Sequence, residues 1–265
     1  MTTTSNSDWA LILGASSGFG AAAALALAHD GFNIFGVHLD RRSALPEIEA
    51  LTERIRAAGR QAVFFNVNAA AANKRAQVLD SIADQVGAGS QVRVLLHSLA
   101  FGALKPLVAD DAKERIDPPA LEMTLDVMAN SLVYWTQELV GRNLMRAGGR
   151  VFAMTSAGSI QIWKSYGAVS AAKCALESHC RQLAVELAPH GITANALMAG
   201  VTDTPALRKI PGHEHMIRNA EARNPYHRLT RPEDVAGAIV LLTRPEAAWI
   251  TGNTLRIDGG ESIAG

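Results

Sequence analysis

Trp9-Ala-Leu-Ile-Leu-Gly14-Ala-Ser-Ser-Gly-Phe-Gly20, running on into the alanine-rich Ala21–Ala28, reads as a strand, a turn with three glycines and a helix, in that order. Five successive apolar residues with no polar alternation predict a strand covered on both faces. Gly14, Gly18 and Gly20 remove side chains where backbone must pass close to something, and the helix that follows points its positive end there. A diphosphate fits that description, with Ser16, Ser17 and Phe19 completing the turn. A glycine-rich turn without a ligand is the competing structural reading. The order of strand, turn and helix weighs against it.

Strand-like and helix-like segments alternate from there to the C-terminus. Further strands are predicted over Phe32–Val37, Ala62–Phe65, Val92–Leu96, Arg150–Met154, Thr193–Leu197 and Thr254–Ile257. Helices are predicted from the glycine turn to about His29, then over Leu45–Ala58, Ala72–Val86, Leu121–Met145 and Ala168–Ala188. Thr230-Arg-Pro-Glu233 has capping-box spacing and starts the last one. This alternation implies right-handed crossovers and a parallel sheet covered on both faces, a doubly wound α/β fold of about seven strands. Residues 1–265 are read as a single domain, interrupted by a polar, proline-containing excursion at about 205–228.

In such a sheet, ligands lie beyond the carboxyl ends of the strands. After the second strand, His38 stands where an acidic residue often takes the ribose hydroxyls, and Leu39, Asp40, Arg41 and Arg42 follow. Two arginines favour a 2′-phosphate, so NADP(H) is expected over NAD(H), with Asp40 arguing weakly the other way. Asn66 and Val67, after the third strand, are placed to meet the adenine.

Ser165-Tyr-Gly-Ala-Val-Ser-Ala-Ala-Lys173 opens the long helix, with Tyr166 and Lys173 seven residues apart and Ser170 between them. At about 3.6 residues per turn the phenol and the ammonium share one face. An ammonium drawn to within about 6 Å would pull the phenol from about 10 toward about 8, a range useful for general acid work. An amphipathic helix rim is the competing reading of the pair.

Composition narrows the function classes. Lysine plus arginine equals aspartate plus glutamate at 25 each, so neither nucleic acid nor a membrane surface is indicated. The apolar run Ala21–Ala28 is far short of a membrane span. The leading MTTTSNSD has neither a basic leader nor an apolar core, and Cys174 and Cys180 point to different faces of one helix. A reducing, cytoplasmic setting is expected. His213 and His215 flank Glu214 with no third ligand in view, so no metal is expected.

The glycine turn, the Tyr166/Lys173 pair, Ala199-Gly200 followed by Thr204, and Ile250-Thr-Gly-Asn-Thr with Asp258-Gly-Gly260 together resemble the short-chain dehydrogenase/reductase family. The resemblance runs from Trp9 to Gly260. Commoner members place the tyrosine four residues before the lysine, where this chain has Val169. The wider Tyr-x6-Lys spacing and His97-Ser-Leu-Ala100-Phe101 are similar to the enoyl-acyl-carrier-protein reductase branch. Thr155-Ser-Ala-Gly-Ser-Ile160 and the short glycine turn resemble the NADPH-dependent enoyl reductases of some bacilli. Two departures accompany the match. Ser156 stands where the most familiar bacterial enoyl reductases carry a second tyrosine, and Met128 where many family members have an asparagine that supports a proton relay; Asn130 lies two positions off.

The resemblance implies hydride transfer to the β-carbon of a trans-2-enoyl thioester, with Tyr166 stabilising the enolate. Lys173 would hold the nicotinamide ribose, and Ser156 would offer a second hydroxyl. Ser98, Leu99 and Ala100 would line the cofactor, and Thr204 with the Val201 and Thr202 backbone would hold the carboxamide. Substrate contact is expected from Phe101–Leu107 and from Pro205–Arg228, a lid by composition that includes Ile210-Pro-Gly-His-Glu-His-Met216. Trp163 and Tyr226 read as packing or rim residues. Arg218 and Arg223 are candidates to meet an acyl carrier protein, the alternative carrier being coenzyme A. Relatives commonly form tetramers, so a homo-oligomer, tetramer or dimer, is expected. Two other readings stay open: a carbonyl reductase or alcohol dehydrogenase, and a catalytically inactive nucleotide-binding regulator, which Val169, Met128 and the missing second tyrosine permit.

Overall fold

The computed structural model describes residues 8–264; the N-terminal segment read above for targeting lies outside them except for Asp8. The described residues form one seven-stranded sheet from β1 (Trp9–Leu13), β2 (Asn33–His38), β3 (Ala62–Asn66), β4 (Val92–His97), β5 (Arg150–Ser156), β6 (Thr193–Ala199) and β7 (Thr254–Ile257). Every pairing is parallel, and the spatial order is β3-β2-β1-β4-β5-β6-β7. The helices are α1 (Gly18–His29), α2 (Leu45–Ala57), α3 (Ala72–Gln85), α4 (Pro118–Leu125), α5 (Ser131–Gly141), α6 (Gly167–Glu186), α7 (His213–Arg223) and α8 (Pro232–Leu242).

The first strand explains why its sequence shows no alternation. Successive strand side chains point to opposite faces, and here both faces are covered. Trp9, Leu11 and Leu13 pack with Leu79 of α3, Trp135 of α5 and Leu176 of α6. Ala10 and Ile12 pack with Leu27 of α1, Ile55 of α2 and Ile239 of α8. Trp9 also stacks on Phe35 with ring centroids 3.9 Å apart. The buried Trp135 indole donates to the Ala69 carbonyl at 2.9 Å, so that its N–H is not stranded in the core.

Four expectations need correction. The helix expected over Leu121–Met145 starts earlier, at Pro118, because proline suits a first turn and the Asp117 carboxylate accepts the Ala120 N–H at 2.8 Å. One π turn over Asp126–Asn130 interrupts it, and it stops at Gly141, where Asn143 turns left-handed (φ 57°) and the Leu144 N–H bonds back to the Leu139 carbonyl at 2.9 Å. Tyr166 lies just before α6, not within it. The capping residue of α8 is Arg231 instead of Thr230, its backbone N–H donating to the Asp234 carboxylate at 2.8 Å. The excursion at 205–228, read as a polar lid with no helix assigned to it, contains α7.

Strand order reverses between β1 and β4. The crevice of a doubly wound sheet therefore opens beyond Leu13 and His97.

Candidate active site

The glycine turn and the end of β4 form one wall of that crevice. The Gly14 N–H donates to the Val37 carbonyl and the Ser98 N–H to the Leu13 carbonyl, each at 2.8 Å. A Cβ at Gly14 would overlap the Ser98 carbonyl oxygen, and Gly14 has a φ of 87° that disfavours any side chain. A Cβ at Gly20 would overlap the Gly14 carbonyl oxygen. Gly18 faces Thr204, whose Cγ2 would lie 3.5 Å from an added Cβ, so the turn and the loop after β6 are neighbours across the crevice. Ser17 caps α1 without a side-chain bond, so its hydroxyl does not block the first amides of the helix. These residues fit a dinucleotide diphosphate. Phe19 is turned toward the packing of α1, α2 and α8, whereas Ser16 is half-buried and Ser17 exposed. Beyond β4, Ser98 and Leu99 are half-buried and Ala100 is exposed.

At the β2 end, the expected ribose residue His38 is buried, and its Nδ1 lies 3.0 Å from the Asp40 carboxylate. Asn66 serves the same turn. Its Oδ1 accepts the Asp40 N–H at 3.1 Å and its Nδ2 donates to the Asp40 carbonyl at 3.0 Å. Val67 donates its N–H to the His38 carbonyl at 2.8 Å and packs on the core. His38 and Asn66 thus shape the turn, and Arg41 and Arg42 are exposed on it.

At the β5 end, Ser165 adopts a left-handed backbone (φ 62°), uncommon for a residue with a side chain, and this sets the direction of Tyr166. The Tyr166 ring meets Trp163 edge-on, centroids 5.9 Å apart at 80°, and lies over Gly158, where a Cβ would overlap it. Burial raises the phenol above its ordinary value, and a hydrogen bond with the Ser156 hydroxyl opposes the rise. Lys173 is buried, and its ammonium donates to the Met154 carbonyl at 2.7 Å. Burial brings it down to about 8, with Glu177 and Cys180 opposing. The expectation that Lys173 lowers the Tyr166 pKa is therefore corrected. The phenol stands outside the helical period, and the ammonium turns to β5.

Val169, at the commoner tyrosine position, is buried with Met128 and Ala172. Met128 fills its place with a sulfur that would sit 2.8 Å from a Cβ on Gly102, so no polar group takes the relay position there. Asn130 instead bonds His179, Oδ1 to Nε2, at 3.1 Å. Beneath the site, His97 is fully buried, with Nε2 2.8 Å from the Ser131 hydroxyl, which donates to the Val127 carbonyl. Burial, aided by the charge of Lys173, brings His97 down to about 3, so its imidazole is neutral. Glu177 escaped the sequence reading although it stands four residues after Lys173, a same-face spacing; it accepts from the Thr155 hydroxyl at 2.6 Å.

In the loop after β6, Thr202 is buried and its hydroxyl donates to the Gly200 carbonyl at 3.0 Å, while the Thr204 hydroxyl accepts the Leu207 N–H at 3.2 Å. The Val201 N–H, assigned above to the carboxamide, instead donates to Glu261 at 3.0 Å. Leu107 lies against Gly167, the residue after Tyr166, and Phe101, Val108, Ile160 and Ile162 are exposed on the two adjoining loops. In α7, His213 and His215 bond locally, to the Ile210 carbonyl at 3.2 Å and to Asn219 at 3.0 Å, and Tyr226 beyond the helix is exposed. Cys174 is exposed and Cys180 buried, both unbridged. Among the described residues, no helix is long and apolar enough to cross a membrane.

The family profile described as enoyl-(acyl carrier protein) reductase matches residues 14–262. The 1-cyclohexenylcarbonyl-CoA reductase of Streptomyces collinus is 29% identical over 255 residues, 96% of this chain and 86% of that protein. A 3-oxoacyl-[acyl-carrier-protein] reductase of Aggregatibacter actinomycetemcomitans is 30% identical over 254 residues, covering 96% and 99%. The crystal structure of an NADH enoyl-[acyl-carrier-protein] reductase from Aquifex aeolicus superimposes with a TM-score of 0.84 over 98% of each chain at 21% identity, a likeness of fold. Strand order, glycine cradle, Tyr/Lys pair and profile agree: the chain belongs to the short-chain dehydrogenase/reductase family of nicotinamide-dependent oxidoreductases.

Proposed function

We propose that the chain reduces the 2,3 double bond of trans-2-enoyl thioesters, with NADPH favoured over NADH. The observation that carries this reading is the placement of Tyr166. Of the three tyrosines, Tyr134 lies under the Arg75 guanidinium and Tyr226 is exposed beyond α7. Tyr166 stands with Ser156 at the carboxyl end of β5, while the position four before Lys173 is an apolar, buried Val169.

A bound nicotinamide supplies the hydride. Tyr166 donates a hydrogen bond to the thioester oxygen as negative charge collects there, and its burial keeps the proton on the ring at neutral pH. Ser156 orients that hydroxyl. Lys173, held by the Met154 carbonyl, would hold the ribose, and the loop of Thr202 and Thr204 would hold the carboxamide. Exposed Phe101, Leu107, Val108, Ile160 and Ile162 offer an apolar acyl chain a surface beside Tyr166. The NADPH preference is supported by Arg41 and Arg42, exposed on the turn after β2. Carrier protein or coenzyme A would deliver the acyl group, and the fully exposed Trp249 near the edge strand β7 supports self-association.

A carbonyl reductase is the second reading, supported by Ser156 and Tyr166 lying together over Gly158 and by the Aggregatibacter relative. NADPH oxidation with crotonyl-CoA and longer enoyl thioesters, set beside 3-oxoacyl thioesters and ketones, separates the two. Turnover of the enoyl series is expected; turnover of the carbonyl compounds alone would transfer the assignment to the second reading.

A further inference from the structure

The segment after β7 is built to reach back to the loop after β6. Asp258 is buried and its carboxylate accepts the Gly260 N–H at 3.0 Å and the Ser262 N–H at 3.1 Å, which fixes a tight turn through Gly259 and Gly260, both at positive φ. Asn224, buried just past α7, donates to the Asp258 carbonyl at 3.0 Å. This turn carries the half-buried Glu261 over Gly200, where an added Cβ would lie 2.7 Å from the Glu261 Oε2 and would overlap the Thr230 hydroxyl. The same Oε2 accepts the Val201 N–H at 3.0 Å. Arg223, in the last turn of α7, reaches the carbonyl oxygens of Glu261 and Ala264 at 3.4 Å each.

A carboxylate half withdrawn from water is costly to keep unless it holds something in return. Here it holds the first peptide of the loop that carries Thr202 and Thr204. From this geometry we propose that Glu261 is a positioning residue for the nicotinamide end of the cofactor, bracing the 200–204 loop against the C-terminal turn and α7. The inference rests on the assignment of that loop to the carboxamide. Glu261 does not touch cofactor or substrate in this account; it acts through the backbone at Val201. The adenine, the diphosphate and the 2′-phosphate are held by other loops and do not depend on it.

The two halves of the cofactor provide the test. NADPH and 2′-phospho-ADP-ribose, which lacks the nicotinamide, are titrated against wild type, Glu261→Ala and Glu261→Gln, with thermal unfolding followed in parallel. Glu261→Ala is expected to weaken NADPH at least about tenfold, the worth of one charge-assisted bond, and to leave 2′-phospho-ADP-ribose within about twofold. Glu261→Gln, which keeps an amide oxygen for the Val201 N–H, is expected to recover most of the loss. Equal weakening of both ligands by Glu261→Ala, or of neither, overturns the brace. If wild type binds neither ligand, the nucleotide assignment itself falls and the brace with it.

Discussion

The glycine cradle and the Tyr166 end of the same crevice are held in opposite ways. At the cradle, backbone meets backbone: Gly14 lies against the Ser98 carbonyl and Gly20 against the Gly14 carbonyl, with no room for one more carbon. At the Tyr166 end, side chains do the holding: Ser156 and Tyr166 close over Gly158, Trp163 meets the edge of the phenol ring, and Lys173 grips the Met154 carbonyl. A backbone cradle tolerates no substitution, because a backbone atom cannot swing aside. A side-chain site tolerates changes in shape and is sensitive to chemistry, the loss of one donor or one charge.

The largest expected effect tests the first half of that contrast. Gly20→Val should cost about 3 kcal/mol or more, since the clash is with a carbonyl inside the β1–α1 turn, and should abolish nucleotide binding. Thermal unfolding and an NADPH titration check it. A well-folded variant with wild-type affinity would break the comparison.

Next comes the buried charge. Burial brings Lys173 from its ordinary 10.5 to about 8, so the folded chain releases this proton before the unfolded chain does. Between those values the unfolded state binds more protons, and the contribution of Lys173 makes stability rise with pH. Cys180, pushed up to about 12 by burial, works the other way above its ordinary 9.0, so the clean window is pH 8 to 9. Across it, Lys173→Met should remove a rise of up to about 1 kcal/mol, read by urea unfolding at each pH. An unchanged slope would mean that the ammonium is better solvated than its burial implies.

A comparable but purely local effect is expected at the β2 turn. Arg41→Ala with Arg42→Ala should weaken NADPH about tenfold and leave NADH nearly unchanged, measured as the ratio of the two affinities. The smallest effect belongs to Gly59→Ala. Its φ of 75° disfavours a side chain but nothing lies within 4 Å, so a loss of only about 1 kcal/mol and no change in cofactor affinity are expected. Set beside Gly20→Val, it separates backbone conformation from close approach.

The same contrast explains what could be read from the sequence. The cradle is local: strand, glycines and helix are consecutive, and their order alone predicts the turn and, by repetition, the doubly wound sheet. The spacing of Tyr166 and Lys173 predicts one shared helix face, which the structure does not give, because Ser165 turns left-handed and lifts Tyr166 out of the helical period. His38 was expected in the crevice and is buried instead, bonded to Asp40, a choice made by packing and not by any nearby pattern. Glu261 gave no signal, since its partner Val201 lies 60 residues earlier. The π turn at Asp126–Asn130 was likewise hidden, inside a segment whose composition favours unbroken helix.

The central claim concerns one hydroxyl, and steady-state NADPH oxidation with a trans-2-enoyl thioester, wild type beside Tyr166→Phe, tests it most directly. Turnover by wild type and a drop of at least about a hundredfold in kcat for Tyr166→Phe, with NADPH affinity nearly intact, is the predicted result. Undiminished turnover by Tyr166→Phe would contradict it.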